Sequence, residues 1–317
     1  MGSALITGHW GPELDSAACL EAVADGFQTR APHWKVECYP FGAGVAFVQA
    51  LQPITSFEVI PVSSHSDLYT AGQRFLRSLQ AEKIPVIEGG HLENTDGGVS
   101  FLEGLTRVVR KDYPDLQTWF SSAIKRARRL CTQAEYYAAY SSARPLFGPS
   151  STLALNPDLT LRTSTDPIFN RQWMNCLHQA ATPRLPVSGQ DASLVEPGRI
   201  AGSGAIGGVG ALVSVLGGRL IPDGDFLISH TDFEARMNHA DLVVILEPEL
   251  HSPALAESTL STVTELATRL AIPVLALGRS SSLSAHERSE WGIHGILTDE
   301  SGNLPHLGRR AAQTWAR

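Results

Sequence analysis

The chain has 317 residues, 43% of them hydrophobic, with a formal net charge of −7. That is enough apolar material for a substantial core in two domains. The acidic balance, with no long basic run, argues against nucleic acid as a main partner. No apolar run is long enough to span a bilayer, and no charged segment followed by a long apolar one opens the chain. Neither a membrane nor a secretory leader is therefore expected. Cys19, Cys38, Cys131 and Cys176 show no C-x-x-C spacing, so reduced thiols in a cytoplasmic protein are the default expectation.

In chain order, Ala4 to Thr7 reads as a first strand. Asp15-Ser16 can cap a helix whose apolar face is Leu20, Val23, Ala24 and Phe27, at i, i+3, i+4 and i+7. Lys35 to Tyr39, Phe57 to Val62 and Ile84 to Ile87 read as further strands. A strand–helix–strand opening implies a parallel sheet covered by helices.

Glu88 to Gly98 (EGGHLENTDGG) is a polar loop between two Gly-Gly pairs, the first being Gly89-Gly90. An amphipathic helix carrying Phe101, Leu102, Leu105, Val108 and Val109 should follow. Asp96 there could act as a general base or hold Mg²⁺. Equally, it could be a carboxylate favoured by the helix dipole. Lys125 to Arg129 (KRARR) is read as a solvated helix face. In Ser141 to Ser150 (SSARPLFGPS), Arg144 could grip a carboxylate or phosphate through its planar fork, or be a surface arginine. From Asn156 to Pro197 prolines are frequent and periodicity is poor.

Gly198 to Leu220 (GRIAGSGAIGGVGALVSVLGGRL) holds six glycines by position 210, then an apolar run from Ala211. A glycine loop feeding a buried helix offers free N–H groups to a phosphate. The same residues would serve close backbone packing, and the two readings are even. Gly202, Gly204 and Gly207 fit G-x-G-x-x-G, but the turn-like residues 193–198 stand where that fingerprint needs a strand. A helix over Thr231 to Met237 is expected, and Asp241 to Leu246 (DLVVIL) is the strongest buried-strand signal. Glu247 then lies beyond a strand's carboxyl end, where open α/β sheets bind ligands. A helix over Thr259 to Leu270 and strands over Ala271 to Gly278 and Trp291 to Leu297 complete the pattern.

The segment AGSGAIGGVGALVSVLGGRLIPDG resembles the glycine segment of the type I glycerate kinases. Further resemblances follow in the same order. Ala24 to Phe27 matches the family's first-helix end, and Pro40 to Gly44 its Pro-Met-Ala-Asp-Gly-Gly loop. Asp96-Gly97-Gly98 matches its Asn-Asp-Gly-Gly. Pro145-Leu146 and Gly148-Pro149 match its Asn-Pro-Leu-Cys-Gly-Pro, and Asp241 to Glu247 its Asp-Leu-Val-Ile-Thr-Gly-Glu. The resemblance implies ATP- and Mg²⁺-dependent phosphoryl transfer to glycerate or a related small hydroxy acid. Asp96 and Glu247 would be catalytic and Asp96 would hold Mg²⁺. Arg144, Gly89, Gly90, Gly202, Gly204, Gly207 and Gly208 would contact substrate.

The family's charges, however, are mostly replaced. Its acidic and lysine positions fall on Gly8 and Gly11, its serines on His9 and Glu13, and two further acids on Ala43 and Ala46. Its asparagine falls on Arg144, and beyond Glu247 its polar positions fall on Glu249, His251, Pro253 and Ser258. Phosphoryl transfer depends on neutralising charge. An inactive homologue that binds a metabolite or a partner is therefore the alternative reading. An active enzyme would need replacement cations such as Arg144 or Arg199, and an unrelated α/β enzyme would use a base such as His251. A homodimer is left open.

The expected architecture is α/β with two α/β domains. A Rossmann-like doubly wound parallel sheet would come from both chain ends, residues 1–85 and 238–317. A glycine-rich α/β domain, residues 86–237, would be inserted, with a cleft between the two.

Overall fold

The computed structural model describes residues 2–11, 13–163, 166–181, 196–255 and 258–316. The chain divides into two compact units. Unit 1 is Met1–Pro53 with Asp223–Arg317, and unit 2 is Ile54–Pro222. Both are α/β with parallel sheets.

Along the chain the strands are β1 (Ser3–Gly8), β2 (Lys35–Pro40), β3 (Phe57–Pro61), β4 (Ile84–Gly89), β5 (Tyr137–Tyr140), β6 (Arg219–Pro222), β7 (Leu242–Leu246), β8 (Glu249–Leu250), β9 (Val274–Gly278), β10 (Ser280–Ser281) and β11 (Gly295–Thr298). Unit 1 holds the sheet β11-β9-β7-β1-β2. β1 pairs with β2 from Ser3↔Lys35 to Gly8↔Pro40, and with β7 from Ala4↔Leu242 to Gly8↔Leu246. The chain winds outward from β1 in one direction through β2 and in the other through β7, β9 and β11. This is a doubly wound sheet with its switch point at β1 and β7, the place where such sheets bind ligands.

Every residue of β7 is buried, as a central strand covered on both faces requires. On one face Ile6, Val244 and Leu246 pack against Leu20, Val23 and Phe27 of the helix Ser16–Arg30 and Leu307 of the helix Leu304–Trp315. Those helices meet at backbone contact, since a Cβ on Gly26 would lie 2.1 Å from the Pro305 carbonyl oxygen. Asp15 caps the first of them through the Ala18 N–H, as its sequence suggested.

Unit 2 holds the sheet β3-β4-β5-β6. The helices Leu68–Gln80, Val99–Thr106, Leu116–Leu130, Pro167–Ala180 and Val209–Leu216 surround one core centred on Phe75, Phe101, Trp119, Phe120 and Trp173. The boundaries therefore differ from those read in the sequence, 85/86 and 237/238. β3 and β4 pair with each other and then with β5, Val86 opposite Tyr137, so they belong to the inserted unit. At the far end, residues 223–237 join unit 1. There Phe233 stacks on Phe41 at 4.2 Å and Phe226 lies 5.6 Å from Phe47.

Several other elements were not anticipated, β5, β6 and the helices Leu304–Trp315, Pro167–Ala180 and Leu68–Gln80 among them. The helix Pro167–Ala180 lies in the stretch that looked irregular, and the helix Leu68–Gln80 precedes β4. Residues 193–195, read as turn-like, lie outside the described residues. No described helix is long and apolar enough to cross a membrane.

Candidate functional site

In unit 1 the chemistry gathers at the switch point. Gly8 ends β1 so close to β7 that a Cβ there would lie 2.2 Å from the Leu246 carbonyl oxygen. The next residues on the two strands, His9 and Glu247, face each other with Nε2 and Oε2 3.7 Å apart. The Gly11 N–H donates to His9 Nδ1 at 3.2 Å. The ring's own proton therefore sits on Nε2, toward the glutamate. Burial works against charge on both groups. It pushes the Glu247 carboxyl up to about 8, against a smaller downward pull from Ser258, and the His9 imidazole down to about 4. The separation would allow an ion pair, but with neither environment favouring charge, we assign a neutral acid beside a neutral imidazole at pH 7. His251 lies 3.8 Å from Glu249, both partly exposed. Arg279, just beyond β9, holds its guanidinium over the Trp10 ring at 5.4 Å.

In unit 2 the loop after β4 carries Asp96. Its Oδ1 accepts the Gly98 N–H at 2.9 Å. Its Oδ2 accepts the Ser100 N–H at 2.8 Å and the Ser100 hydroxyl at 2.5 Å, so the carboxylate caps the helix Val99–Thr106. The same Oδ2 lies 3.3 Å from Nε2 of His65, which sits just beyond β3. The dipole reading of Asp96 is thus realised, and a histidine is added to it.

Arg144 donates to His91 Nδ1 at 3.2 Å and to the Asn156 carbonyl at 3.1 Å. Arg162 approaches the other ring nitrogen at 3.2 Å. It also binds the carbonyls of Leu92, Thr152, Leu155 and Glu93. Burial, reinforced by the two guanidinium groups, drives His91 down to about 4, so it is a neutral spacer between two cations. His65, Asn94, Thr95, Asp96, Arg162, Asp166 and Asn170 are among the residues lining a cavity of about 570 Å³.

The glycine stretch holds this site together from behind. Residues 202–213 are buried. Gly202 N–H donates to the Ala143 carbonyl, Gly204 N–H to Arg144's and Ile206 N–H to Gly90's, at 2.9, 3.1 and 2.8 Å. Thr95 returns a bond to the Gly207 carbonyl at 2.7 Å. A Cβ on Gly202 would lie 2.4 Å from the Tyr140 ring, and one on Gly208 2.5 Å from Gly97; one on Gly90 would lie 2.5 Å from Ser141 Oγ. Of the two readings of this stretch, the geometry favours close packing. The N–H groups of Gly202, Gly204, Ile206, Gly208 and Gly210 go to backbone carbonyls. Gly89 meets β3 in the same manner, its Cβ position 2.6 Å from the Val62 carbonyl oxygen.

The structure thus brings Asp96, Arg144, Gly89, Gly90, Gly202, Gly204, Gly207 and Gly208 into unit 2 and sets Glu247 in unit 1. Sequence reasoning did not single out His65, His91 or Arg162, which reach their neighbours only through tertiary packing. Arg199 pairs with Glu196 on the surface.

The fold and these loops define a glycerate-kinase-like protein. Residues 95–314 match the glycerate kinase family, and the chain belongs to that family. The chain is also similar, at 16% identity and a TM-score of 0.70, to the crystal structure of "putative glycerate kinase 2 from Salmonella typhimurium LT2". That match covers 100% of this chain and 98% of that one. Uncharacterized proteins of Mycobacterium bovis (Mb2228c) and Mycobacterium tuberculosis (MT2261) are each 27% identical over 232 residues, 72% of this chain and 54% of theirs. The chain thus spans about half the length of the curated relatives it matches.

Neither unit by itself gathers a cluster of carboxylates for a Mg²⁺ among the described residues. Magnesium needs ionised oxygen ligands in near-octahedral array. Burial pushes the Glu247 carboxyl up to about 8, and Asp96 already accepts three hydrogen bonds. Among the described residues no three His, Cys, Asp or Glu side chains gather around one point.

Proposed function

We propose that this protein is a ligand-binding member of the glycerate kinase family. It holds a hydroxy acid in the unit 2 cavity and does not carry ATP-dependent phosphoryl transfer. The observation that carries this reading is the Glu247–His9 pair. The family's glutamate is retained at the switch point, yet burial beside a neutral histidine denies it the charge that transfer would use. The cavity, by contrast, keeps a guanidinium at Arg162 together with the Asp96 carboxylate and the His65 imidazole. These groups suit a carboxylate and a hydroxyl.

The second reading is a kinase acting on glycerate or a related acid with ATP and Mg²⁺. It is favoured by family membership and by the position of Glu247 at the end of β7. A coupled ADP-release assay with D-glycerate, ATP and Mg²⁺ separates the two. We expect no turnover above background from protein with a normal melting curve. Sustained ADP release that depends on the acid would replace the first reading with the second.

A further inference from the structure

We infer that His9 and Glu247 form a two-donor site for an oxyanion, the ionised oxygen of a carboxylate, enolate or phenolate, at the carboxyl ends of β1 and β7. The site lies wholly in unit 1 and does not depend on the hydroxy-acid reading of unit 2. Its geometry starts with the imidazole. Nδ1 accepts the Gly11 N–H, so the ring's proton is on Nε2 and is aimed at the glutamate. Glu247 Oε2 stands 3.7 Å away, beyond the reach of a direct hydrogen bond. Among the described residues the Nε2–H has no acceptor of its own. A buried donor left in that state is costly. One oxygen set about 2.8 Å from both Nε2 and Oε2 would accept from each, with an angle of about 80° between the two bonds.

The chemistry of the pair selects the kind of oxygen. A protonated carboxyl can donate where a carboxylate only accepts. Burial keeps the Glu247 proton on, up to about 8, and keeps His9 uncharged. Both groups therefore offer hydrogens. An ionised oxygen answers two donors and needs no acceptor in return, whereas water and alcohols bring hydrogens of their own.

The surroundings supply a counter-charge. Glu249 is the adverse group, since it adds to the upward push on Glu247, and it lies 3.8 Å from His251. Arg279 is the favourable one. Its N–H donates to the Pro248 carbonyl at 2.8 Å, which fixes it at the same edge of the sheet. Its guanidinium rests over Trp10, the residue after His9, and pairs with no carboxylate among the described residues. The place is the switch point, where ligands of such sheets bind. The two side chains are enclosed yet reachable, 12% and 9% exposed.

NMR of the histidine ring nitrogens in the full chain, at fixed ionic strength, tests this with formate, p-nitrophenolate and formamide. At pH 7 the anions should move the His9 Nε2–H resonance saturably. Either anion alone doing so supports the site and names its source. Formamide, the neutral analogue of formate, should need at least about tenfold higher concentration. Formamide matching formate would mean that any small oxygen is accepted and would overturn the preference for an oxyanion. Formate affinity should fall about tenfold between pH 7 and 9 as Glu247 loses its proton. Glu247→Gln, which keeps a donor and cannot ionise, should remove that fall. Affinity that rises with pH, or a fall that survives Glu247→Gln, would overturn the donor role of Glu247. Arg279→Gln should weaken formate a few-fold and keep the pH profile; complete loss of the His9 shift would place the anion on the arginine instead. If no probe moves the His9 resonance, the site does not exist.

Discussion

Glu247 and His9 respond to pH in opposite directions. The glutamate's folded value, about 8, lies above its ordinary 4.5. Its stabilising share is therefore fully present below pH 4.5 and lost as pH rises through 8. The histidine's folded value, about 4, lies below its ordinary 6.5. Its protonation burdens the fold at low pH, and the burden lifts as pH rises from 4 to 6.5. The two trends offset each other between those limits, leaving a net fall above pH 6.5. Glu247→Gln should abolish that fall, so the stability gap between variant and parent should widen by about 2 kcal/mol between pH 6.5 and 8. Calorimetric melts from pH 5 to 8.5 check this; parallel curves for parent and variant would mean that Glu247 is ionised in the fold.

Asp96 carries a different residue-level expectation. Its three accepted bonds hold the first turn of the helix Val99–Thr106, so Asp96→Ala should cost about 1 kcal/mol. That should lower the melting temperature by a few degrees. An unchanged melt would mean the cap contributes nothing. Ser100→Ala, which removes one of the three bonds, should fall between the parent and Asp96→Ala.

Among the elements, the glycine stretch sets the positions of the loops around it. Gly208 has φ +96° and its Cβ position overlaps Gly97; Gly217 has φ +94° and nothing within 4 Å. Replacing each with alanine separates strain from collision. Gly217→Ala should cost about 1 kcal/mol for backbone strain alone. Gly208→Ala should cost about 3 kcal/mol or more, because backbone must move against backbone. Equal losses in urea unfolding would show that the loop yields without resistance.

Some elements were legible in the sequence and others were not, for physical reasons. β7 was plain because a central strand buried on both faces writes an unbroken apolar run. The helix Pro167–Ala180 was missed although Asp166-Pro167 is a start signal and Trp173, Cys176 and Leu177 share its buried face. Most of its other positions are polar or exposed, Phe169 and Met174 are only partly buried, and nearby prolines masked the period. Asp96, Glu247 and Arg144 could be proposed because each lies in a recognisable loop. His65 lies about 30 residues from Asp96 in the chain, and Arg162 about 70 from His91. Only the fold brings them together, and short-range periodicity carries no record of such pairings.

At the scale of the molecule, the misplaced domain boundary has the same origin. β3 and β4 read as strands, but a strand's composition does not say which neighbours it pairs with. They lie in one sheet with β5 and β6, so unit 2 is one continuous segment with its own core. A fragment spanning residues 54–222 should therefore fold alone and melt cooperatively. Far-UV circular dichroism and one-dimensional NMR would check this, and a broad, non-cooperative melt would count against its independence.

The pairing of Ala4 with Leu242 also fixes an order of events during synthesis. β1 leaves the ribosome early, but its central neighbour is not made until the whole inserted segment has emerged. Domains assemble as units while the chain grows, and pairings distant in sequence form slowly. Unit 2 can therefore close while Ser3–Gly8 still has one unpaired edge. A strand made before unit 2 is thus among the last to be enclosed. A circular permutant that begins at Asp223 and joins Arg317 to Met1 through a short linker would bring β7 next to β1 in time, shortening that wait and the exposure of an apolar edge that goes with it.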